Sequence, residues 1–404
     1  MIVTNVIRHS IRTISIILVV IICSNGLNIL GWSFFFPLMY YAIMNLILIF
    51  CYLVFLRKYN NSLYFSKYAS YLIIWPIIVI LFTNFVGGSS YNELRKCFPI
   101  IAVFFFIYKR YDFNEKNIIS AFTIIGLLTT LIQIYEQLHP EFAIFGVVDP
   151  DSDNYYGDIA GKRNDLYRLW VGSYSVQVFC FNYYINKFFE KRNLFNIIFC
   201  LIFAVSIYLY LTRQLLVIAA LCVIMSLLLS KTNKSKITSY LLFIVMSIGV
   251  VYYWDLLFSD FIESYHENTY TTDIRWEFMS FLFDQYITNP IAALIGHGHL
   301  PIEQYWADKY SYYLGDVGFV GDGSFYYGII WCVVYFYVVF VFYTKLRNII
   351  PTYLVCFVLA TFCDSIFCFP FFDRTSMLVW ISVLYISSVY IKNRSMEGQF
   401  INEI

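Results

Sequence analysis

Apolar residues in this chain come in runs of about 17 to 23, with one shorter run of about 12, separated by polar stretches. Spanning about 30 Å of hydrocarbon takes roughly 20 residues at 1.5 Å rise, and only a helix satisfies every backbone group within one such run. Twelve segments are predicted to be helices of this kind: 13–31, 34–56, 68–86, 97–108, 117–138, 170–189, 194–211, 214–230, 237–258, 324–344, 350–371 and 375–391. The pattern predicts an all-α polytopic membrane protein of a single integral domain. Most connections are short, so two long segments, 139–169 and 259–323, are left to hold a site.

Basic residues order these segments in a membrane, because cytoplasmic loops carry the excess of lysine and arginine. With the N-terminus inside, the inner set is Arg8, Arg12, Arg57, Lys58, Lys67, Lys109, Arg110, Lys116, Lys187, Lys191, Arg192, Lys231, Lys234, Lys236, Lys345, Arg347, Lys392 and Arg394, or 18 of 27. Both termini are then cytoplasmic, and both long loops are outside. Only Asp112, Glu115, Glu190, Glu397 and Glu403 of the 26 acidic residues are inside, so the net charge of +1 hides a molecule basic inside and acidic outside. Nothing in that balance calls for a nucleic-acid partner. The two arginines ahead of the first apolar run read as a retained signal anchor.

Composition agrees: 60% of residues are hydrophobic and 13% charged, more apolar surface than a water-soluble domain can bury. The 10 cysteines lie in or beside the spans, with no exposed outer pair and no zinc spacing. Asp149, Asp151 and Asp153 alternate like a calcium loop, but Asn154 stands where the turn glycine belongs and Ala160 where the bidentate glutamate belongs. They read as a solvated loop, and no metal or cofactor is expected. No internal repeat is visible, which weakens readings as a transporter built from repeated halves.

Candidate chemistry lies in the outer loops. Outside, arginine outnumbers lysine six to three (Arg95, Arg163, Arg168, Arg213, Arg275 and Arg374 against Lys96, Lys162 and Lys309). Topology removes positive charge from that side without preferring the guanidinium, whose planar fork matches phosphate or carboxylate bidentately. An anionic ligand and pairing with the many outer carboxylates both fit. Arg213 is the sharpest case, at a turn between two apolar runs, where an arginine at hydrocarbon depth costs roughly 2.5–3.5 kcal/mol. Asp364, inside an apolar run, needs a partner, and an outer arginine is expected. In the second loop a surface helix is predicted over 274–288, with Asp273 as N-cap and Asn289-Pro290 as its stop. His297 and His299 flank Gly298 in a Gly-rich loop and are expected to be solvated.

The order of these motifs is similar to that of a known family. Thr212-Arg213-Gln214, Asp273-Ile274-Arg275-Trp276, Asn289-Pro290 with Gly296-His297-Gly298, and Asp316-Val317-Gly318-Phe319-Val320-Gly321 leading to Tyr327-Gly328 together resemble O-antigen polymerases of the Wzy type, from about Arg168 to Gly328. The resemblance implies a metal-independent, GT-C-like glycosyltransferase of the bacterial inner membrane, with its active site periplasmic. Its substrates would be undecaprenyl-pyrophosphate-linked oligosaccharides, as donor and as acceptor, with membrane lipids and a chain-length regulator as further partners. Carried over by position, Arg213 and Arg275 would grip the pyrophosphate, with Arg275 also counted as catalytic, and Arg168 and Arg163 would supply the first loop's share. The related O-antigen ligases carry a histidine about a dozen residues before the glycine that opens the next span. Here Asp316 holds that place, so it is the first candidate for general base and His299 the second. A lipid-linked oligosaccharide flippase and an O-antigen ligase are the alternatives.

Overall fold

The computed structural model describes residues 13–18, 64–87, 115–139, 146–147, 156–157, 159–163, 166–169, 174–210, 213–229, 269–297, 323–365 and 374–396. Ten helices are used below: α1 (Ser66–Gly87), α2 (Glu115–Leu138), α3 (Tyr174–Lys191), α4 (Leu194–Leu209), α5 (Arg213–Leu229), α6 (Thr269–Thr288), α7 (Pro290–Ile295), α8 (Ile329–Val341), α9 (Thr352–Asp364) and α10 (Arg374–Met396). Residues 13–18 are also helical. The expected segments at 34–56, 97–108 and 237–258 lie outside the described residues. α8 continues into a π-helical turn, Phe342–Leu346.

Two of these helices, Glu115–Leu138 and Ile329–Leu346, are long and apolar enough to cross a membrane, and shorter apolar helices accompany them. The architecture is helical and compatible with a helical membrane protein. α2 turns Ile124, Leu128, Leu131, Tyr135 and Leu138 outward, all more than 40% exposed. These positions recur every three or four residues and form one stripe. Its opposite face buries Thr130, Gln133 and Glu136. α4 exposes Leu194, Ile198, Leu201, Val205 and Tyr208 at the same spacing. Apolar outside and polar inside is the reverse of a water-soluble amphipathic helix, and it is the arrangement that lipid surroundings favour.

α3 is the hub. It packs against α2, α4, α5, α9 and α10, and its buried residues run from Ser175 to Phe189 without confinement to one face. A helix apolar all round needs neighbours on every side. Phe179 makes edge contacts with Phe122 of α2 and with Tyr353 and Phe357 of α9. A second aromatic group joins α8, α9 and α10, where Trp331 stacks on Tyr335, which in turn meets Trp380 and Phe362.

The first long loop contains short strands. It holds two antiparallel hairpins, β1 (Gly146–Val147) with β2 (Tyr156–Gly157) and β3 (Ile159–Arg163) with β4 (Leu166–Leu169), so the described chain is not purely helical. Lys162 pairs with Tyr167 and Arg163 with Leu166, and the register is irregular between Ile159 and Lys162. β4 packs against α2 and α4. Asp149, Asp151 and Asp153 fall between β1 and β2, outside the described residues.

α6 begins five residues earlier than expected, at Thr269. Asp273 is therefore inside the helix and is not its N-cap. No glycine or proline interrupts 269–273, so nothing halts the hydrogen-bond ladder at the aspartate. The other end is as expected, since α6 stops at Thr288 and Pro290 opens α7 after Asn289.

Candidate functional site

Chain connectivity brings one set of helix ends together. The hairpins link the end of α2 to the start of α3, and only residues 210–212 separate the end of α4 from the start of α5. A bond from Gln214 Nε2 to Asp364 Oδ2 (3.3 Å) adds the end of α9. The Ser175 and Ser376 hydroxyls, in hydrogen-bond contact, add the start of α10. This hairpin end corresponds to the outer side in the charge-based orientation. At the opposite end Glu115 accepts from Tyr353 (2.7 Å) and Tyr390 (2.6 Å), which ties α2, α9 and α10 by one carboxylate.

The arginine-bearing elements can be placed by their backbone. Arg163 lies in β3 and Arg168 in β4, the strand against α2 and α4, while Arg213 is the first residue of α5. Arg275 lies in α6. The side chains of these four arginines are outside the described residues, as are Asp316 and His299 entirely.

What the structure adds is a buried polar layer at the hairpin end. Ser206 donates to Gln133 Oε1 at 2.6 Å, both side chains fully buried. One turn beyond Ser206 on α4, the Tyr210 hydroxyl reaches Gln177 Oε1 at 3.5 Å. Tyr210 also meets Tyr174 edge-on, and Tyr174 accepts from Ser376 at 3.0 Å. Glu136, at 1% exposure, lies on α2 one turn past Gln133. The clue in the sequence was an amide or carboxylate inside an apolar run, at Gln133, Glu136 and Gln177.

Asp364 is 5% exposed at the end of α9. Its partner among the described residues is Gln214, the neighbour of Arg213, and not an arginine; Oδ1 has none. An amide can approach a buried carboxylate without carrying a second charge out of water, which lowers the cost of the contact.

His297 also departs from expectation: it is buried, at 4% exposure, and not solvated. Its ring stacks on Phe325 at 4.3 Å and 7°, and its backbone N–H donates to Phe325 O at 2.7 Å. Neither ring nitrogen has a partner among the described residues. Burial pushes the imidazole below its ordinary value, and the Phe325 backbone acts in the opposite direction. Beside it the Tyr286 and Ser324 hydroxyls share a 2.6 Å bond, and burial pushes the Tyr286 phenol up to about 12 against the lowering effect of Ser324.

Two glycines make this packing possible. Gly296 (φ 113°) and Gly328 (φ 90°) lie where two backbones cross. A Cβ on Gly328 would sit 2.4 Å from Leu294 O, and one on Gly296 2.5 Å from Tyr326 O. The indole N–H of Trp75 lies 2.8 Å from Tyr327 O and 3.1 Å from Ile295 O, spanning the crossing from α1. The end of α7 and the entrance to α8 are thus held as one unit.

Among the described residues, no group of three or more His, Cys, Asp or Glu is positioned to hold a metal ion. No protein-family model matches this chain, and no curated protein does. Functional reading therefore rests on its residues and geometry.

Proposed function

We propose that this chain is a polysaccharide polymerase, a twelve-span glycosyltransferase of the bacterial inner membrane with both termini cytoplasmic. It would join oligosaccharide repeat units carried on undecaprenyl pyrophosphate at the periplasmic face. The acceptor hydroxyl oxygen bonds to the anomeric carbon of the donor sugar, the bond from that carbon to the pyrophosphate oxygen breaks, and undecaprenyl pyrophosphate leaves. The hydroxyl proton goes to Asp316, or to His299 as the second candidate. Arg213, Arg275, Arg168 and Arg163 supply fixed positive charge where the leaving group gains negative charge, a role that needs no metal.

The observation that carries this reading is the company Arg168 and Arg213 keep. β4 packs on α2 and α4, and α5 opens at Arg213 three residues past α4, at the end where Gln133, Glu136, Gln177 and Asp364 are buried. Cationic elements above a buried neutral and acidic polar layer suit a ligand with an anionic group and a hydroxylated one.

A flippase gains some support from Glu136 and Asp364, which are carboxylates inside the bundle. A flippase, however, needs a polar route through the full thickness. Here the polar groups beyond that layer, Asn182, Asn186 and Ser226, are engaged with one another and with backbone among close-packed aromatic rings.

Replacing Arg213 or Arg275 with alanine is expected to leave membrane abundance unchanged while the surface polysaccharide ladder collapses to single repeat units. Normal ladders in both variants would sink the assignment. Complete loss of exported units would favour the flippase, and accumulation of untransferred lipid-linked polymer would favour a ligase.

A further inference from the structure

We infer that Asp364 is a positioning residue for the proposed transfer: through Gln214 it sets the first turn of α5, and with it the placement of Arg213 against the diphosphate. This rests on the polymerase reading above. Asp364 is the last residue of α9, and it is buried. A carboxylate inside an apolar run is costly to bury, and the negative end of its own helix dipole adds to that cost. Packing alone would favour an apolar residue there.

The carboxylate instead ties α9 to a second helix. Gln214 Nε2 donates to Asp364 Oδ2 at 3.3 Å, and α5 packs against α9. α5 opens at Arg213, so the bond is made to its first turn, the electropositive end of that helix. An ionised acceptor also holds a donor roughly twice as strongly as a neutral one, which is a reason for a carboxylate at this place. The other side of the turn is anchored as well. Tyr210, three residues before Arg213, is buried, with its hydroxyl 3.5 Å from Gln177 Oε1 and its ring edge-on to Tyr174, both on α3. Arg213 is therefore bracketed by a contact to α3 before it and a contact to α9 just after it. An α-helix turns about 100° per residue, so fixing Gln214 fixes the azimuth of its neighbour Arg213. Fixed charge stabilises a leaving group only where negative charge develops, and a misplacement of about 1 Å is enough to lose about a hundredfold in rate. In this role Asp364 touches no reacting atom and acts through Arg213.

The test offers undecaprenyl pyrophosphate to detergent-solubilised full-length protein, reads retention by native mass spectrometry, and follows thermal unfolding in parallel. Asp364→Ala is expected to weaken retention per folded molecule about tenfold, the equivalent of one good hydrogen bond, and Asp364→Asn, which keeps an acceptor for Gln214, about threefold. Asn182→Leu, which breaks a buried hydrogen bond elsewhere in the bundle, should leave retention per folded molecule unchanged. In an Arg213→Ala background Asp364→Ala should add no further loss, because the group it acts through is gone. Retention by Asp364→Ala equal to wild type, with Arg213→Ala impaired, overturns the positioning role and leaves the polymerase reading intact. Full additivity of the two alanine substitutions overturns it too, since Asp364 would then act independently of Arg213. Wild type that retains no undecaprenyl pyrophosphate sinks the polymerase reading and this inference together. Should Asp364→Ala fail to fold, Asp364→Asn decides: retention equal to wild type overturns the role.

Discussion

Two polar networks lie inside the same helical bundle and are built on opposite principles. Around Asn182 and Asn186, between α3, α5 and α9, the amide nitrogens are engaged. Asn182 Nδ2 donates to Tyr353 O at 2.7 Å, Asn186 Nδ2 to Ser226 Oγ at 2.7 Å and to Asn182 O at 2.8 Å, and Ser226 donates on to Cys222 O. Cys356 Sγ approaches Asn186 Oδ1 at 3.7 Å. At the hairpin end Gln133 Nε2 and Asp364 Oδ1 are buried without partners among the described residues, as are both ring nitrogens of His297 at the α7 to α8 junction. Tyr71 of α1 is the comparable case away from that end. A closed network fixes how helices meet, because each group already has what it needs. Groups left open have spare bonding capacity, and two of them, Gln133 and Asp364, lie on helices packed against the elements that carry Arg168 and Arg213.

If that contrast is correct, the two networks respond differently to the loss of one polar group. The largest effect on stability is expected in the closed network. Asn182→Leu removes one donor from the Tyr353 carbonyl and one acceptor from the Asn186 amide nitrogen, at a cost of about 1–3 kcal/mol. Its thermal unfolding in detergent should fall by several degrees, with the ladder of whatever protein survives unchanged in length. A variant with normal stability would show that this network is not structural.

Asp364→Asn should do the reverse. The amide keeps an acceptor for Gln214 and removes a buried charge, so stability is expected to hold or to rise by about 1 kcal/mol, while polymer output falls. Marked destabilisation would instead reveal a counter-charge on Asp364, and the open network would prove closed.

The smallest effect belongs to His297. Burial favours the neutral imidazole in the folded protein, whereas the unfolded chain takes up a proton near the ordinary value of about 6.5. The folded state therefore has its full stability above that value and loses some as pH falls below it. Hydrogen exchange at the α7 to α8 junction should quicken between pH 7 and pH 5 in wild type and much less in His297→Gln. Equal quickening in both would mean that another group controls the junction.

Sequence reasoning succeeded where the signal is local. Apolar runs located α2, α4 and α5 to within two residues at each end, because a continuous apolar stretch of that length has few alternatives to a helix. Asn289-Pro290 marked the break between α6 and α7, since proline cannot continue a hydrogen-bond ladder from the preceding turn. Asp273 misled, because an aspartate is compatible with an N-cap and equally with the second turn of a helix already under way. The hairpins of the first loop escaped notice because strands of two to five residues carry almost no periodicity.

Composition and hydropathy by themselves pointed to the apolar helices among the described residues, since each segment must satisfy its own backbone wherever water is absent. Which polar residues face one another was beyond their reach. Gln133 meets Ser206 across 73 positions and Gln214 meets Asp364 across 150. His297 is buried only because Gly296 and Gly328 let two distant backbones touch. Whether a buried amide is paired or left open depends on the rotation of one helix against its neighbours, and only tertiary packing decides that.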